Sequence, residues 1–232
     1  FDTFRLYGRT DAPSNQGDVC PNYPEIYDIE VSDDGRDWAT HTTVTVADPP
    51  RIVTALPLFA KDFTVDKSEV ASARLYVSCL GLYEARLNGQ NVADTLFDPG
   101  ETDFDESVQY VTYDVTDKLI DGGNAVGIML GNGVYNIGNT PGRYQKVGLD
   151  RAAEIKTIAQ LEVTMRDGSV QRVVTDGSWD QTQGPVTFSS WHGGEDYDAR
   201  AEIPGWDAAG TDRSAWGKAG EVNPPAGALR AR

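Results

Sequence analysis

Residues 72–133 leave few folds open. Within them Leu82-Tyr83-Glu84-Ala85-Arg86-Leu87 alternates strictly, with Leu82, Glu84 and Arg86 on one face and Tyr83, Ala85 and Leu87 on the other. That is the period of a half-buried strand. Asn88-Gly89 follows, a pair suited to the two positive φ angles of a tight hairpin. Upstream, Ala73 to Leu80 is rich in β-branched and aromatic residues; downstream, Gln109 to Val115 alternates again and Ala125 to Leu130 is apolar. Four strands with turn chemistry between them, and no long amphipathic helix, predict half of an all-β antiparallel sandwich.

The flanks extend this pattern. Phe59 to Val65 reads as a strand, Ile155 to Arg166 as a long one ending in the turn Asp167-Gly168, and Val170 to Thr175 as its return. Val186 to Trp191 is the last clear strand, and Asp117 to Ile120 suits a single helical turn capped by Thr116 or Asp117. From Ala201 no period remains, so 201–232 reads as an extended connector toward a following domain. The first 48 residues form a separate β unit, with strand patterns at Thr3–Arg9, Glu25–Ser32 and His41–Val46. Its Ile29-x-Val31-Ser32-Asp33-Asp34-Gly35-x-x-Trp38 resembles the closing strands of a discoidin-like sandwich, though only part of such a domain is present. Asp48-Pro49-Pro50 opens a linker over 49–57, since consecutive prolines hold a chain extended. The main sandwich is then expected over 58–200.

Charge narrows the function. The 232 residues carry a net charge of -16, which argues against nucleic acid, because phosphate needs clustered Lys and Arg. The acidity reads either as solubility or as carboxylates gathered around a cation such as calcium. No apolar run reaches the roughly 18 residues of a membrane span, so no membrane partner is expected. Phe1-Asp2-Thr3-Phe4-Arg5 lacks a signal-peptide layout and begins inside a strand pattern, as a piece of a longer protein would. A secreted or periplasmic setting is favoured over a cytoplasmic one. Of the two cysteines, Cys79 lies in a strand and reads as a small core residue; a bridge to Cys20 would have to join two separate units and is not expected.

Catalytic motifs are scarce. The two histidines, His41 and His192, fall in different units, which disfavours a Ser-His-Asp triad or a His-rich zinc site. There is no P-loop, dinucleotide fingerprint or CxxC pair. Carboxylates abound, but a glycosidase pair is defined by a separation that sequence does not measure. Around Arg200, the acids Glu195, Asp196 and Asp198 suggest a buried or interfacial ion-pair network in which Arg200 grips a carboxylate bidentately to pin the loop; ligand or metal contact at the sandwich rim is the alternative. The loop from Asn132 to Tyr144 is polar and broken by glycines. Its Asn136, Asn139, Arg143 and Tyr144 are the amide, guanidinium and aromatic groups that bind sugars.

The order of several blocks resembles the N-terminal β-sandwich domain of bacterial-type α-L-rhamnosidases (glycoside hydrolase family 78). These are Leu58-Phe59-Ala60-Lys61-Asp62-Phe63, Gly81-Leu82-Tyr83-Glu84 through Leu87-Asn88-Gly89, Asp98-Pro99-Gly100, Tyr110 to Thr116, Leu130-Gly131-Asn132-Gly133, Gly194 to Arg200 and Pro204-Gly205-Trp206. The resemblance covers roughly Leu56 to Arg232. It implies a galactose-binding-like jelly roll serving as a non-catalytic accessory module, with the catalytic acid and base on a separate helical (α/α)6 domain of the same enzyme. Its expected partners are that domain and rhamnose-containing carbohydrate; a module that only buttresses the catalytic domain is the alternative. Some members bind L-rhamnose through calcium, and Asn136, Pro141 and Asp94 match the metal-binding positions. The pattern departs where Glu101 and Val134 stand in place of family tryptophans.

Overall fold

The computed structural model describes residues 3–7, 26–32, 39–45, 56–137 and 153–232. The chain divides into two compact units. In the first, β1 (Thr3–Tyr7), β2 (Ile26–Ser32) and β3 (Ala39–Thr45) pair antiparallel in that order, with a bulge at Ile29/Glu30. All three lie on stretches whose sequence reads as strand. Three strands alone do not distinguish one β family from another. Asp48-Pro49-Pro50 and Cys20 lie outside the described residues.

The second unit is the sandwich. One sheet has the order β11 (Val170–Val174), β10 (Lys156–Met165), β5 (Val70–Leu80), β8 (Ser107–Asp114), β16 (Ala228–Ala231). The other runs β15 (Gly217–Lys218), β12 (Asp180–Gln183), β4 (Pro57–Val65), β9 (Gly122–Gly131), β6 (Leu82–Leu87), β7 (Gln90–Asn91). A short ribbon of β13 (Val186–Ser190) and β14 (Gly194–Tyr197) stands beside them. Among the described residues helix is confined to three single 3-10 turns. One of them, Thr116–Lys118, falls near the expected helical turn, but its N-cap is Val115 and no side chain caps it.

One core joins the two sheets. Leu75, Val77 and Cys79 from β5 and Leu161 and Val163 from β10 meet Tyr83, Ala85 and Leu87 from β6 and Val126, Ile128 and Leu130 from β9. Alternation puts every second residue inside, as the pattern of β6 requires. Cys79 is a free, buried thiol there. Trp179 fills the core with 2% of its surface exposed, and its indole N–H donates to the Val174 carbonyl at 2.8 Å. The β6–β7 hairpin turns on Asn88 (φ 53) and Gly89 (φ 79), the two positive angles that its sequence demands. The Asn88 amide also donates to Asn124 Oδ1 at 2.7 Å and to the Lys118 carbonyl at 2.9 Å, which pins the turn to β9.

The stretch from Ala201 is no connector. Its β15 pairs antiparallel with β12, and β16 pairs parallel with β8. Ahead of β15, Trp206 and Asp207 cover the outer face of the six-stranded sheet. A Cβ on Gly127 would lie 2.7 Å from both Trp206 Cζ3 and Asp207 Cβ, so this contact needs glycine. Arg86, opposite Gly127 on the same face, bonds Asp207 at 2.5 Å. The sandwich therefore extends to the end of the chain rather than to residue 200.

Candidate functional site: the sandwich rim

Three connections meet at one end of the sandwich: residues 92–100 after β7, 131–137 after β9 and 189–193 after β13. Their meeting is fixed by buried polar bonds. Asn132, fully buried, donates from its amide to the Ser189 carbonyl at 2.8 Å. The Asn136 amide donates to Asn132 Oδ1 at 2.9 Å, and Asn136 Oδ1 accepts from the Ala153 backbone N–H at 3.1 Å. Tyr83 on β6 bridges to the first connection, its backbone N–H donating to the Asp98 carbonyl at 3.1 Å.

Beneath the rim lies a buried carboxylate. Asp98 is 3% exposed. Its Oδ2 accepts from the Tyr113 hydroxyl at 2.6 Å and from Thr95 Oγ1, and Oδ1 pairs with the Arg232 guanidinium. The Tyr113 and Tyr83 hydroxyls lie 2.7 Å apart. Burial first, and then the bond between the two hydroxyls, pushes Tyr83 well above its ordinary 10.0; burial and then the bond to Asp98 do the same to Tyr113. Both rings therefore hold their protons more tightly folded than unfolded. Their contribution to stability is complete below about pH 10 and is lost as pH rises from there toward the folded values. We expect the melting temperature to fall through the alkaline range, and Tyr83→Phe to flatten that fall. A profile of the same slope in the variant would assign the alkaline loss to other groups.

This network fixes what stands above it. Phe97, next to Asp98, sits at φ 62, an unusual angle for a bulky residue. The residue is 64% exposed, and its ring meets that of Trp191, 42% exposed, edge to face with centroids 6.1 Å apart. Leu96 beside it is also exposed. On the inner side Tyr135 packs edge to face on Phe104 at 5.2 Å.

The residues singled out from sequence fare unevenly. Asp94 is exposed on the same connection as Phe97. Asn136 is at the rim but buried, with its amide holding the loop as described. Asn139, Pro141, Arg143 and Tyr144 lie outside the described residues. Arg200 does grip Asp198 bidentately, Nε–Oδ1 and Nη2–Oδ2 both at 2.8 Å, and the pair draws Asp198 down to about 2. The pair is on the surface rather than buried, and Glu195 and Asp196 are exposed. The aromatic pair escaped sequence reasoning because its members are 94 positions apart. An unpaired tryptophan at the end of a strand was the one available signal. Among the described residues no three His, Cys, Asp or Glu side chains gather to hold a metal.

Two packed sheets with an exposed aromatic pair at one rim define a β-sandwich module. Residues 68–232 match the family model described as the alpha-L-rhamnosidase N-terminal domain, and the chain belongs to that family. An alpha-L-rhamnosidase of Streptomyces avermitilis is 40% identical over 158 residues, covering 67% of this chain and 15% of that protein. One from Formosa agariphila is 37% identical over 157 residues, covering 67% of this chain and 16% of that protein. Among solved structures, the alpha-L-rhamnosidase from Dictyoglumus thermophilum superposes with a TM-score of 0.68 at 31% identity, over 99% of this chain and 21% of that one. The Streptomyces avermitilis enzyme complexed with L-rhamnose gives 0.68 at 31% identity, over 88% and 20%. The chain thus spans about a sixth of the curated relatives' length. Among the described residues no helix is long and apolar enough to cross a membrane.

Proposed function

We propose that this chain is a non-catalytic, carbohydrate-binding accessory module of a longer α-L-rhamnosidase-like glycoside hydrolase, holding rhamnose-containing glycans at the sandwich rim. The observation that carries this reading is the exposed Phe97–Trp191 pair, set on connections locked from below by Asp98 and Asn132. Exposed aromatic faces beside amides and a carboxylate are what a sugar ring with several hydroxyls needs. Deoxysugars favour such a surface, since a methyl group adds to the apolar contact.

Calcium belongs to the same proposal. The Asp94 carboxylate is a hard oxygen donor, and Asn136 Oδ1 keeps a second lone pair beside the one facing Ala153. With Pro141 supplying a carbonyl, these would hold the ion, which would offer ligand positions to sugar hydroxyls. A setting outside the cytoplasm fits a module that meets polymeric glycan.

A second reading has its own support. The outer face of the five-stranded sheet exposes Ile158, Val174 and Leu229 around a hollow of about 260 Å³ that Tyr76 and Tyr110 also line. An apolar sheet face of this kind suits a module that buttresses a catalytic domain. Calorimetry with L-rhamnose, with and without calcium, separates the two. We expect millimolar binding, about -4 kcal/mol, that weakens when chelator removes calcium and drops at least tenfold in Trp191→Ala. No heat in either condition would leave the buttress as the function.

A further inference from the structure

We propose that a polar cleft on the opposite flank of the six-stranded sheet is a second saccharide site, built by the tail and specific for a neutral pyranose. The cleft holds about 470 Å³, room for one sugar or two. Trp216 forms one wall and is half-buried. Its ring lies 5.8 Å from the Arg213 guanidinium, which is itself fixed by the Trp206 and Ala208 carbonyls and by Asp62. The aromatic wall is thus rigid before any ligand arrives, which lowers the ordering cost of binding.

Hydrogen-bonding groups of both kinds face the same space. Lys61 and Lys218 offer ammonium donors, and Asp62 and Asp180 offer carboxylate acceptors. A sugar hydroxyl both donates and accepts, so adjacent hydroxyls match an ammonium beside a carboxylate. The charges here are already compensated. Arg213 pairs with Asp62 at 2.7 Å and Lys218 with Asp180, while Lys61 bonds Ser178 Oγ at 2.5 Å, itself held by Asp176. Lys61 also lies near enough to Asp176 for the two charges to interact, so three cations face three carboxylates, and this balance favours a neutral sugar over a uronate or a sulfated one.

The cleft is distinct from the rim. Lys61 pairs with Val126 on β9, and the rim begins only after Gly131, five residues further along that strand. At a strand's rise that is roughly 17 Å. The two sites would therefore engage different residues of one glycan chain, and the second does not depend on the rim reading. Linked sites gain from effective concentration, so a modest affinity at each suffices to hold a polymer.

The test is heteronuclear NMR of the full chain, following the Trp216 indole N–H and the Ser214 and Lys218 amides. The probes are L-rhamnose, D-galactose, D-glucose and D-xylose, each at tens of millimolar, with D-glucuronate as the anionic comparison. At least one neutral sugar should shift these signals saturably, with D-glucuronate far weaker. Trp191→Ala should leave the response unchanged. Trp216→Ala should weaken it at least tenfold, and Lys61→Met, which keeps the indole wall, severalfold. Silence from all four neutral sugars would overturn the proposal, as would a response to glucuronate alone or one that survives both cleft substitutions. Failure at the rim with response in the cleft would overturn only the rim reading.

Discussion

Asp98→Ala is expected to cost about 3 kcal/mol, a fall of roughly 6–12 °C in melting temperature for a unit of this size. The carboxylate is 3% exposed and accepts from Tyr113, Thr95 and Arg232. Alanine would leave the buried Tyr113 hydroxyl short of an acceptor, while Thr95, on an exposed stretch, can turn to water. The partners do not lose equally. Tyr113 keeps Tyr83 at 2.7 Å, and Arg232, with its side chain 46% exposed, returns to water at little cost. The loss therefore resides mainly in the Tyr113 hydroxyl bond. Asp98→Asn should be milder, because its oxygen can face Arg232 while the two hydroxyls rotate to accept from its amide. Urea unfolding monitored at constant m-value ranks the two substitutions and Arg232→Ala. If Arg232→Ala proved as damaging as Asp98→Ala, the ion pair rather than the hydroxyls would be holding the carboxylate. The same substitution should weaken sugar binding at the rim, since Asp98 holds the connection that presents Phe97.

How much of this was legible in the sequence depends on how local the determining contacts are. Strands such as β6, β8 and β10 were readable because burial on one face imposes a period of two, which β6 shows without exception, and β9 because it is a short apolar run. Asn88-Gly89 and Asp167-Gly168 were readable because a turn's angles restrict its residues directly. The tail was misread for the same reason inverted. Its β15 has two residues and β16 four, all exposed, so neither carries an alternation. What recruits β16 is the free edge of β8, a partner some 120 positions away. Buried Asp98 and the Phe97–Trp191 pair are likewise products of tertiary packing, and no local pattern announces them. The Arg200–Asp198 contact was foreseen because it spans two residues, but its exposure was not.

Arg213→Ala tests whether the tail is an integral layer of the sandwich. The guanidinium is nearly closed to solvent, with 5% of its side chain exposed. Its Nε and Nη2 donate to the Trp206 carbonyl at 3.2 and 3.0 Å, Nη2 also to Ala208 at 2.9 Å, and Nη1 to Asp62 at 2.7 Å. Asp62 is 42% exposed and keeps the Gly210 N–H, so the ion pair itself contributes little of the loss. The Trp206 carbonyl is the larger item, because alanine takes away both bonds that Arg213 gives it, whereas the Ala208 carbonyl keeps the Thr211 hydroxyl at 2.9 Å. We expect a destabilisation of about 2–4 kcal/mol. Lysine would keep the charge but not the planar fork, and Arg213→Lys should recover less than half. The loss should be local before it is global: with the clamp gone, Trp206 lifts from Gly127, and protease should cut between residues 203 and 216 faster than elsewhere. Arg200→Ala is the control, since it removes an equally bidentate contact from an exposed site and should leave the melting temperature unchanged. Equal losses from the two arginines would mean that the tail rests on the sheet without being part of it.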